Sequence, residues 1–126
     1  MQKGTIIMEE MRLAETELRF AELVWEREPL TSGELVQLCE RELSWKKSTT
    51  YTVLRRVCQK GILQNEGGWV TSRMTRAEYE AMCSEQFLQD NFDGSLPRFL
   101  AAFMSRKKLS TKQIAEIQRL IDSYEE

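Results

Sequence analysis

The sequence predicts a mainly α-helical chain with one small β-hairpin, arranged as two consecutive domains. Apolar residues recur at helical spacing through most of its 126 residues, and the pair Gly67-Gly68 separates two short extended runs. A Ser or Thr followed three residues later by Glu or Gln, which is typical of helix starts, precedes three of the apolar segments. These pairs are Thr31/Glu34, Thr75/Glu78 and Ser110/Gln113.

Composition excludes several classes of protein. The chain has 18 Lys and Arg, 20 Asp and Glu and no histidine, and its three cysteines, Cys39, Cys58 and Cys83, are widely spaced. No catalytic triad, structural zinc site or disulfide framework fits this set, so we expect a protein that is not an enzyme and needs no metal or cofactor. No apolar run approaches the ~20 residues that cross a bilayer, and no signal-peptide pattern is present, which predicts a cytoplasmic location without membrane insertion.

The first part of the chain is expected to contain an arm and three helices. Residues 1–12 show no clear period and are predicted to form a flexible arm. The segment LAETELRFAELVWERE then shows helical spacing and ends before Pro29. The second helix is predicted to begin directly after Thr31. The third is predicted from about Ser48 to just before Gly61, which would be a C-cap glycine.

Two extended runs, ILQNE and WVTSRM, flank the glycine pair and predict a tight hairpin. Three helices followed by a hairpin are the order of a winged helix-turn-helix domain, which we assign to residues 13–74. Trp25 and Trp45 are expected to be core residues of this domain. Trp69 is expected to pack back on the third helix, and insertion into DNA is its alternative role.

Residues 75–126 are predicted to form three further helices, which begin after Thr75, at Ser95 and after Ser110. So short a segment cannot bury its many large apolar groups alone. We expect them to pack against the same segment of a second chain, in a homodimer. The alternatives are packing against the first domain of the same chain, or the lining of a small-molecule pocket. The expected interface residues are Phe87, Phe92, Leu96, Phe99, Leu100, Phe103, Ile114, Ile117, Leu120 and Ile121.

The stretch WKKSTTYTVLRRVCQKG, residues 45–61, carries five Lys or Arg and no acidic residue in a chain of net charge −2. As a helix with about 100° per residue, it directs Thr50, Val53, Leu54 and Val57 to one side, which should face the core. The opposite side then carries hydroxyl groups and arginine without glutamate. Such groups suit base edges and phosphates in the DNA major groove. The alternative is a merely solvated helix.

This helix supplies most of the candidate DNA-binding residues. Base-edge contacts are expected from Ser48, Thr49, Thr52 and Arg55. Phosphate contacts are expected from Lys46, Lys47, Tyr51, Arg56 and Lys60, with Arg73 as the basic candidate nearest the hairpin tip. The alternative function is a protein-interaction adaptor whose positive face docks an acidic partner.

The same segments resemble a known family. Over residues 13–124 the chain is similar to the penicillinase-repressor family of bacterial transcription regulators, the BlaI/MecI group. The similarity lies in LAETELRFAELVW, WKKSTTYTVLRRVCQKGIL and RFLAAFMSRKKLSTKQIAEIQRLI. It implies a sequence-specific repressor that binds a palindromic operator in double-stranded DNA as a homodimer, with C-terminal helices that interlock.

The sequence departs from the family pattern at several positions. In the best-known members a sensor-protease system leads to cleavage of an Asn–Phe bond, and Ala102–Phe103 occupies that position here without the asparagine. Ala14 stands where relatives place a Ser or Thr cap, and Glu66 lies in a hairpin tip that is often longer and basic. Copper-responsive relatives carry a C-terminal cysteine cluster, whereas this chain has no cysteine after Cys83. Copper sensing is therefore not expected, and cleavage by a sensor-protease lacks its usual bond.

Overall fold

The computed structural model describes residues 8–124 and confirms a mainly helical chain with one small sheet. The helices are α1 (Glu15–Arg27), α2 (Ser32–Leu43), α3 (Lys47–Gln59), α4 (Arg76–Phe92), α5 (Leu96–Arg106) and α6 (Thr111–Asp122). The strands are β1 (Leu30–Thr31), β2 (Leu63–Glu66) and β3 (Trp69–Ser72). Residues 8–11 are helical, and residues 1–7 of the predicted arm lie outside the described residues.

The described residues divide into two compact units, 8–87 and 88–124. Helix α4 runs from the first unit into the second, and the predicted domain boundary at residue 75 directly precedes this helix. The first turns of α4 are tied to the first unit through Tyr79, which is buried there. Its hydroxyl oxygen accepts a hydrogen bond from the Leu13 N–H at 2.7 Å.

Side-chain caps fix the predicted helix starts. At α2, Thr31 Oγ1 accepts a hydrogen bond from the Glu34 N–H (3.1 Å), and the Glu34 carboxylate accepts one from the Thr31 N–H (2.8 Å). The same reciprocal pairs begin α4 and α6, where the partners are Thr75/Glu78 and Ser110/Gln113. Each pair satisfies two N–H groups that the helix would otherwise leave without a partner, so the three predicted starts are confirmed.

The predicted hairpin forms part of a three-stranded antiparallel sheet with the strand order β1-β3-β2. Gly67 and Gly68 have φ values of +60° and +88°, and a type I′ hairpin turn needs positive φ at both central positions. The third strand was not predicted. Strand β1 has two residues, of which Leu30 pairs with Val70 of β3, and so short a strand shows no alternation of apolar and polar residues.

The core of the first unit lies between helices α1 to α3 and the inner face of the sheet. Phe20 of α1 and Val57 of α3 are among its largest fully buried side chains. Trp25 and Trp45 are half-buried against this core, which confirms their predicted role. The Trp25 indole N–H donates to the carbonyl of residue 74 at 2.9 Å, and the Trp45 ring stacks on Phe20 with centroids 5.8 Å apart.

Trp69 does not pack on α3, and that prediction was wrong. Its side chain is 52% exposed, whereas its neighbour Val70 is fully buried on the inner face of the sheet. Successive residues of a strand point to opposite faces, so Trp69 lies on the outer face with its cross-strand partner Glu66.

The second unit contains the end of α4 and helices α5 and α6. The chain breaks after α4 at Asp93 and Gly94, whose φ values are +52° and +77°. Ser95 then caps α5, because its Oγ accepts a hydrogen bond from the Arg98 N–H at 3.1 Å. None of the described residues of α5 and α6 is buried.

An apolar groove of 340 Å³ lies between α5 and α6. It is lined by Phe99, Leu100, Phe103, Leu109, Gln113, Glu116, Ile117 and Leu120. The predicted interface residues are therefore not in a closed core. Phe92, Phe99, Leu100 and Ile117 are half-buried, and Phe87, Leu96, Phe103, Ile114, Leu120 and Ile121 are exposed.

Candidate nucleic-acid interface

Helix α3 has a buried side and an exposed side, divided as the sequence predicts. The buried residues are Thr50, Val53, Leu54 and Val57, whose spacing of three and four places them on one side of a helix. The exposed side carries Ser48, Thr49, Thr52 and Arg55, which we call the outer face of α3. Packing of the buried side against the core therefore fixes the orientation of α3, so that the outer face points toward solvent.

Positive charge surrounds the start of the outer face. Lys46 is the N-cap residue of α3, Lys47 is its first residue, and both are exposed. The first turn contains no acidic residue, although the partial positive charge at a helix N-terminus favours one. Two lysines at this end raise the local positive potential further, which favours an external polyanion.

The hairpin turn and the start of α2 lie on one side of α3. The Ser32 N–H donates a hydrogen bond to the Gly68 carbonyl at 2.8 Å, and the Tyr51 hydroxyl donates one to Ser32 Oγ at 3.3 Å. A groove of 310 Å³ between α3 and β2 includes Tyr51, Arg55 and Asn65 in its lining. The structure therefore brings two predicted contact residues of α3 together with the hairpin.

Helix α1 lies on the other side of α3. A groove of 390 Å³ there includes Thr16 of α1 together with Ser48, Thr49, Thr52 and Arg56 of α3. The outer face thus lies between two grooves, one toward the hairpin and one toward α1. Both grooves are open, so the outer face is accessible from its two edges.

A buried carboxylate of α1 holds two of the predicted phosphate-contact residues. The Glu17 side chain is 3% exposed, and its Oε1 accepts a hydrogen bond from Lys60 Nζ at 2.6 Å. Arg56 Nη1 approaches the other oxygen, Oε2, at 3.5 Å. Lys60 Nζ also donates to the Arg12 carbonyl at 2.9 Å, so this ammonium group is fixed beside α1. Arg56 is freer, because its side chain is 53% exposed.

Glu17 is ionised despite its burial. Burial alone would raise the pKa of this carboxyl, but hydrogen bonds from Lys60, from the Ala14 N–H and from Arg56 lower the pKa below its ordinary value of 4.5. The bond from the Ala14 N–H is 2.8 Å long and forms half of a capping box, because alanine has no side-chain acceptor to form the other half. The sequence alone does not reveal this cluster, because Arg56 and Lys60 follow Glu17 by 39 and 43 residues.

Arg73 lies apart from the other candidates along the hairpin. It follows β3 at the base of the hairpin, where its N–H donates to the Ile62 carbonyl at 2.8 Å. The Gly67-Gly68 turn is at the opposite end of the two strands. Arg73 is exposed, so it adds positive charge at the base of the hairpin rather than at its tip.

Cys39 is buried, Cys58 and Cys83 are half-buried, and none of the three is in a disulfide. Burial raises the pKa of the Cys39 and Cys58 thiols, so both are neutral near pH 7 and poor nucleophiles. Among residues 8–124, no group of three or more Cys, Asp or Glu is placed to hold a metal ion. Within the same range, no helix is both long enough and apolar enough to span a bilayer.

The family model described as "Penicillinase repressor" matches residues 13–123. The chain belongs to the penicillinase repressor family. It is 22% identical over 117 residues to the penicillinase repressor of Bacillus licheniformis, which covers 90% of this chain and 91% of that protein. It is also 30% identical over 103 residues to an uncharacterized 16.5 kDa protein of Latilactobacillus sakei, which covers 79% of this chain and 70% of that protein.

Membership of the penicillinase repressor family confirms the resemblance seen in the sequence. The family consists of transcription regulators and not of enzymes, and membership implies a DNA-binding transcriptional repressor. The match covers both compact units, so it includes helix α3 with its exposed outer face and helices α5 and α6, which bury none of their described residues.

Proposed function

We propose that this chain is a sequence-specific repressor that binds a palindromic operator as a homodimer, with α3 in the major groove of each half-site. Helices α2 and α3 have the order of a helix-turn-helix pair, whose second helix enters the groove. The observation that carries the proposal is the outer face of α3. Its hydroxyl groups and guanidinium are exposed, two lysines precede them, and no carboxylate lies among them.

The proposed contacts divide by chemistry. Ser48, Thr49, Thr52 and Arg55 contact base edges, because hydroxyl groups can approach them closely and arginine can bind guanine through two hydrogen bonds. Lys46, Lys47 and Tyr51 contact phosphates at the edge of the groove, and Arg56 and the more distant Arg73 add positive charge. Lys60 is assigned to Glu17 and not to DNA, because the carboxylate already holds its ammonium group.

The second unit supplies the proposed dimer contact. Helices α5 and α6 have no buried residue among those described, and the groove between them is apolar. A second copy of the same surface would cover it with two-fold symmetry, the commonest symmetry of soluble oligomers. Two DNA-binding units would then match the two halves of a palindrome. Such a repressor would act in the bacterial cytoplasm, where the chromosome lies.

The test is binding of the purified full chain to DNA from its own promoter region, measured by fluorescence anisotropy against shuffled DNA of equal length. We expect tight binding that prefers the promoter and weakens steeply with salt, because phosphate contacts release counterions. Arg55→Ala should reduce the preference by about 1–3 kcal/mol, the value of one bidentate base contact.

The matched control is Arg41→Ala, which removes one exposed arginine at the far end of α2. It should leave the preference for promoter DNA intact. Equal effects of the two variants would mean that Arg55 does not read sequence. Weak binding by the unaltered protein that ignores both sequence and salt would favour the alternative function, an adaptor that docks an acidic protein.

A further inference from the structure

The buried carboxylate of Glu17 neutralises part of the basic segment before any DNA is bound. Its two partners, Arg56 and Lys60, are two of the five basic residues in residues 45–61. The two contacts differ in strength. Lys60 is held at 2.6 Å with its side chain 24% exposed, whereas Arg56 is held at 3.5 Å with its side chain 53% exposed.

A DNA phosphate and the Glu17 carboxylate bind the same kind of basic side chain. Each is an anion that accepts charge-assisted hydrogen bonds from guanidinium or ammonium. Arg56 lines the groove that also contains Ser48, Thr49 and Thr52, so phosphates beside the outer face lie within its neighbourhood. Lys60 lies one residue beyond the end of α3 and is tied by a second bond to the Arg12 carbonyl.

We propose that Glu17 is a positioning residue that limits the number of phosphates helix α3 contacts, by retaining Lys60 and by competing with DNA for Arg56. This inference rests on the proposed function, because it concerns the affinity of the same interface for DNA. Glu17 itself touches no DNA in this scheme and acts only through its two partners.

The consequence is weaker binding to DNA of any sequence, operator or not. Binding that ignores sequence comes almost wholly from phosphate contacts and counterion release. Base-edge contacts by the outer face add affinity for the operator only. A carboxylate that withholds basic groups therefore weakens binding to every DNA by the same factor. DNA that lacks the operator isolates this effect, because phosphate contacts supply almost all of its affinity.

The experiment compares Glu17→Gln with Glu15→Gln on shuffled duplex DNA at salt concentrations from 50 to 200 mM. Glu15 is exposed in the first turn of the same helix, so both variants remove one negative charge from α1. Release of one or two basic groups steepens the salt dependence of binding. Between 50 and 200 mM salt, the dissociation constant of Glu17→Gln should therefore rise ~3- to ~12-fold more than that of Glu15→Gln. At 50 mM salt this variant should bind shuffled DNA more tightly than Glu15→Gln.

If the role of Glu17 were purely structural, Glu17→Gln would bind shuffled DNA more weakly than Glu15→Gln at 50 mM salt, and not more tightly. Damage to the fold would weaken binding at every salt concentration without a steeper slope, and that outcome would overturn the proposal. The double variant Glu17→Gln/Lys60→Met provides a second check. If Glu17 withholds Lys60, removal of the ammonium group should reduce the steepened slope by about 0.9, the value of one phosphate contact. An unchanged slope would show that Lys60 had not been released to DNA.

A measurement on the unaltered chain guards against a variant that fails to fold. The side-chain ammonium resonances of Lys60 and Lys47 can be followed by NMR during titration with shuffled DNA. The Lys60 resonance should stay in place while that of Lys47 moves, because only Lys47 is proposed to reach phosphate. Equal movement of both would refute retention by Glu17. Absence of any DNA binding by the unaltered chain would instead refute the proposed function itself.

Discussion

Glu17 links the start of α1 to the end of α3 through one buried side chain. Its carboxylate accepts hydrogen bonds from the Ala14 N–H at the start of α1 and from Arg56 and Lys60 at the end of the basic segment. Loss of this acceptor would leave Lys60 partly buried without its counter-charge. Hydrogen bonds to charged groups contribute on the order of 2 kcal/mol each, so we expect Glu17 to stabilise the packing of α1 on α3.

The stability contributed by Glu17 should depend on pH. The pKa of its carboxyl is lower in the folded chain than the ordinary value of 4.5, so the unfolded chain binds the proton more readily. The contribution is therefore fully present above the unfolded pKa and is lost as the pH falls through the lower folded-state pKa. Urea unfolding should show a stability difference between the unaltered chain and Glu17→Gln that is constant near pH 7 and shrinks in acid.

Glu15→Gln is again the control for this measurement, because Glu15 is exposed and hydrogen-bonded to none of the basic segment in the described structure. Its stability should follow that of the unaltered chain through the acid range. A difference for Glu17→Gln that persisted unchanged into acid would mean that the lost stability comes from side-chain shape and not from charge.

Among the structural elements, the hairpin turn has a backbone conformation that few residues other than glycine adopt without strain. Gly67 has a φ of +60°, and a Cβ atom added there would meet nothing within 4 Å. Any penalty for a substitution must therefore come from the backbone itself. Gly67→Val should destabilise the chain by about 1–2 kcal/mol, the cost of a left-handed conformation for an ordinary residue.

Gly67→Asn is the matched control, because asparagine tolerates the left-handed conformation and Asn-Gly is a preferred type I′ turn. Chemical denaturation should place Gly67→Asn within ~0.5 kcal/mol of the unaltered chain, as is usual for exposed substitutions. If both variants were equally destabilised, the glycine would serve some purpose other than its positive φ.

The elements that sequence predicted well are those governed by local rules. The side of α3 that carries Thr50, Val53 and Val57 is buried because a helix repeats every 3.6 residues, which spacing alone reveals. The reciprocal caps at Thr31 and Ser110 likewise involve residues three positions apart. Fold class and most helix starts followed from such patterns.

The features that sequence did not predict depend on residues far apart in the chain. Strand β1 exists because Leu30 meets Val70, 40 positions later, and its own two residues carry no period. The capture of Lys60 by Glu17 depends on the packing of α1 against the end of α3. The candidate outer face of α3 could thus be predicted, whereas the division of its basic neighbours between Glu17 and solvent could not.

In the molecule as a whole, the second unit exposes large apolar side chains that another surface is expected to cover. The second unit contains fewer than the roughly 40 residues that a domain usually needs to fold without a disulfide, a metal or a partner. Helices α5 and α6 bury none of their described residues, and Leu120 is 71% exposed. Exposed apolar groups on this scale mark an interaction surface. In the proposed homodimer, a second copy of the chain would cover this surface and would supply the second DNA-binding domain that a palindrome requires.

The decisive prediction at this scale concerns a charge placed in the apolar groove. Ile117 is half-buried and lines the groove between α5 and α6, as does Phe99. Ile117→Asp or Phe99→Asp should cost the proposed dimer several kcal/mol, because a carboxylate without a partner would lose its water in the interface. Sedimentation velocity should then show monomers, and operator binding should weaken because each half-site is bound alone.

Ala115→Asp adds the same charge at an exposed position of α6 outside the groove lining and should remain dimeric. If Ile117→Asp and Ala115→Asp sedimented alike as dimers, the contact between copies would have to lie on another surface, and the groove would need a different occupant.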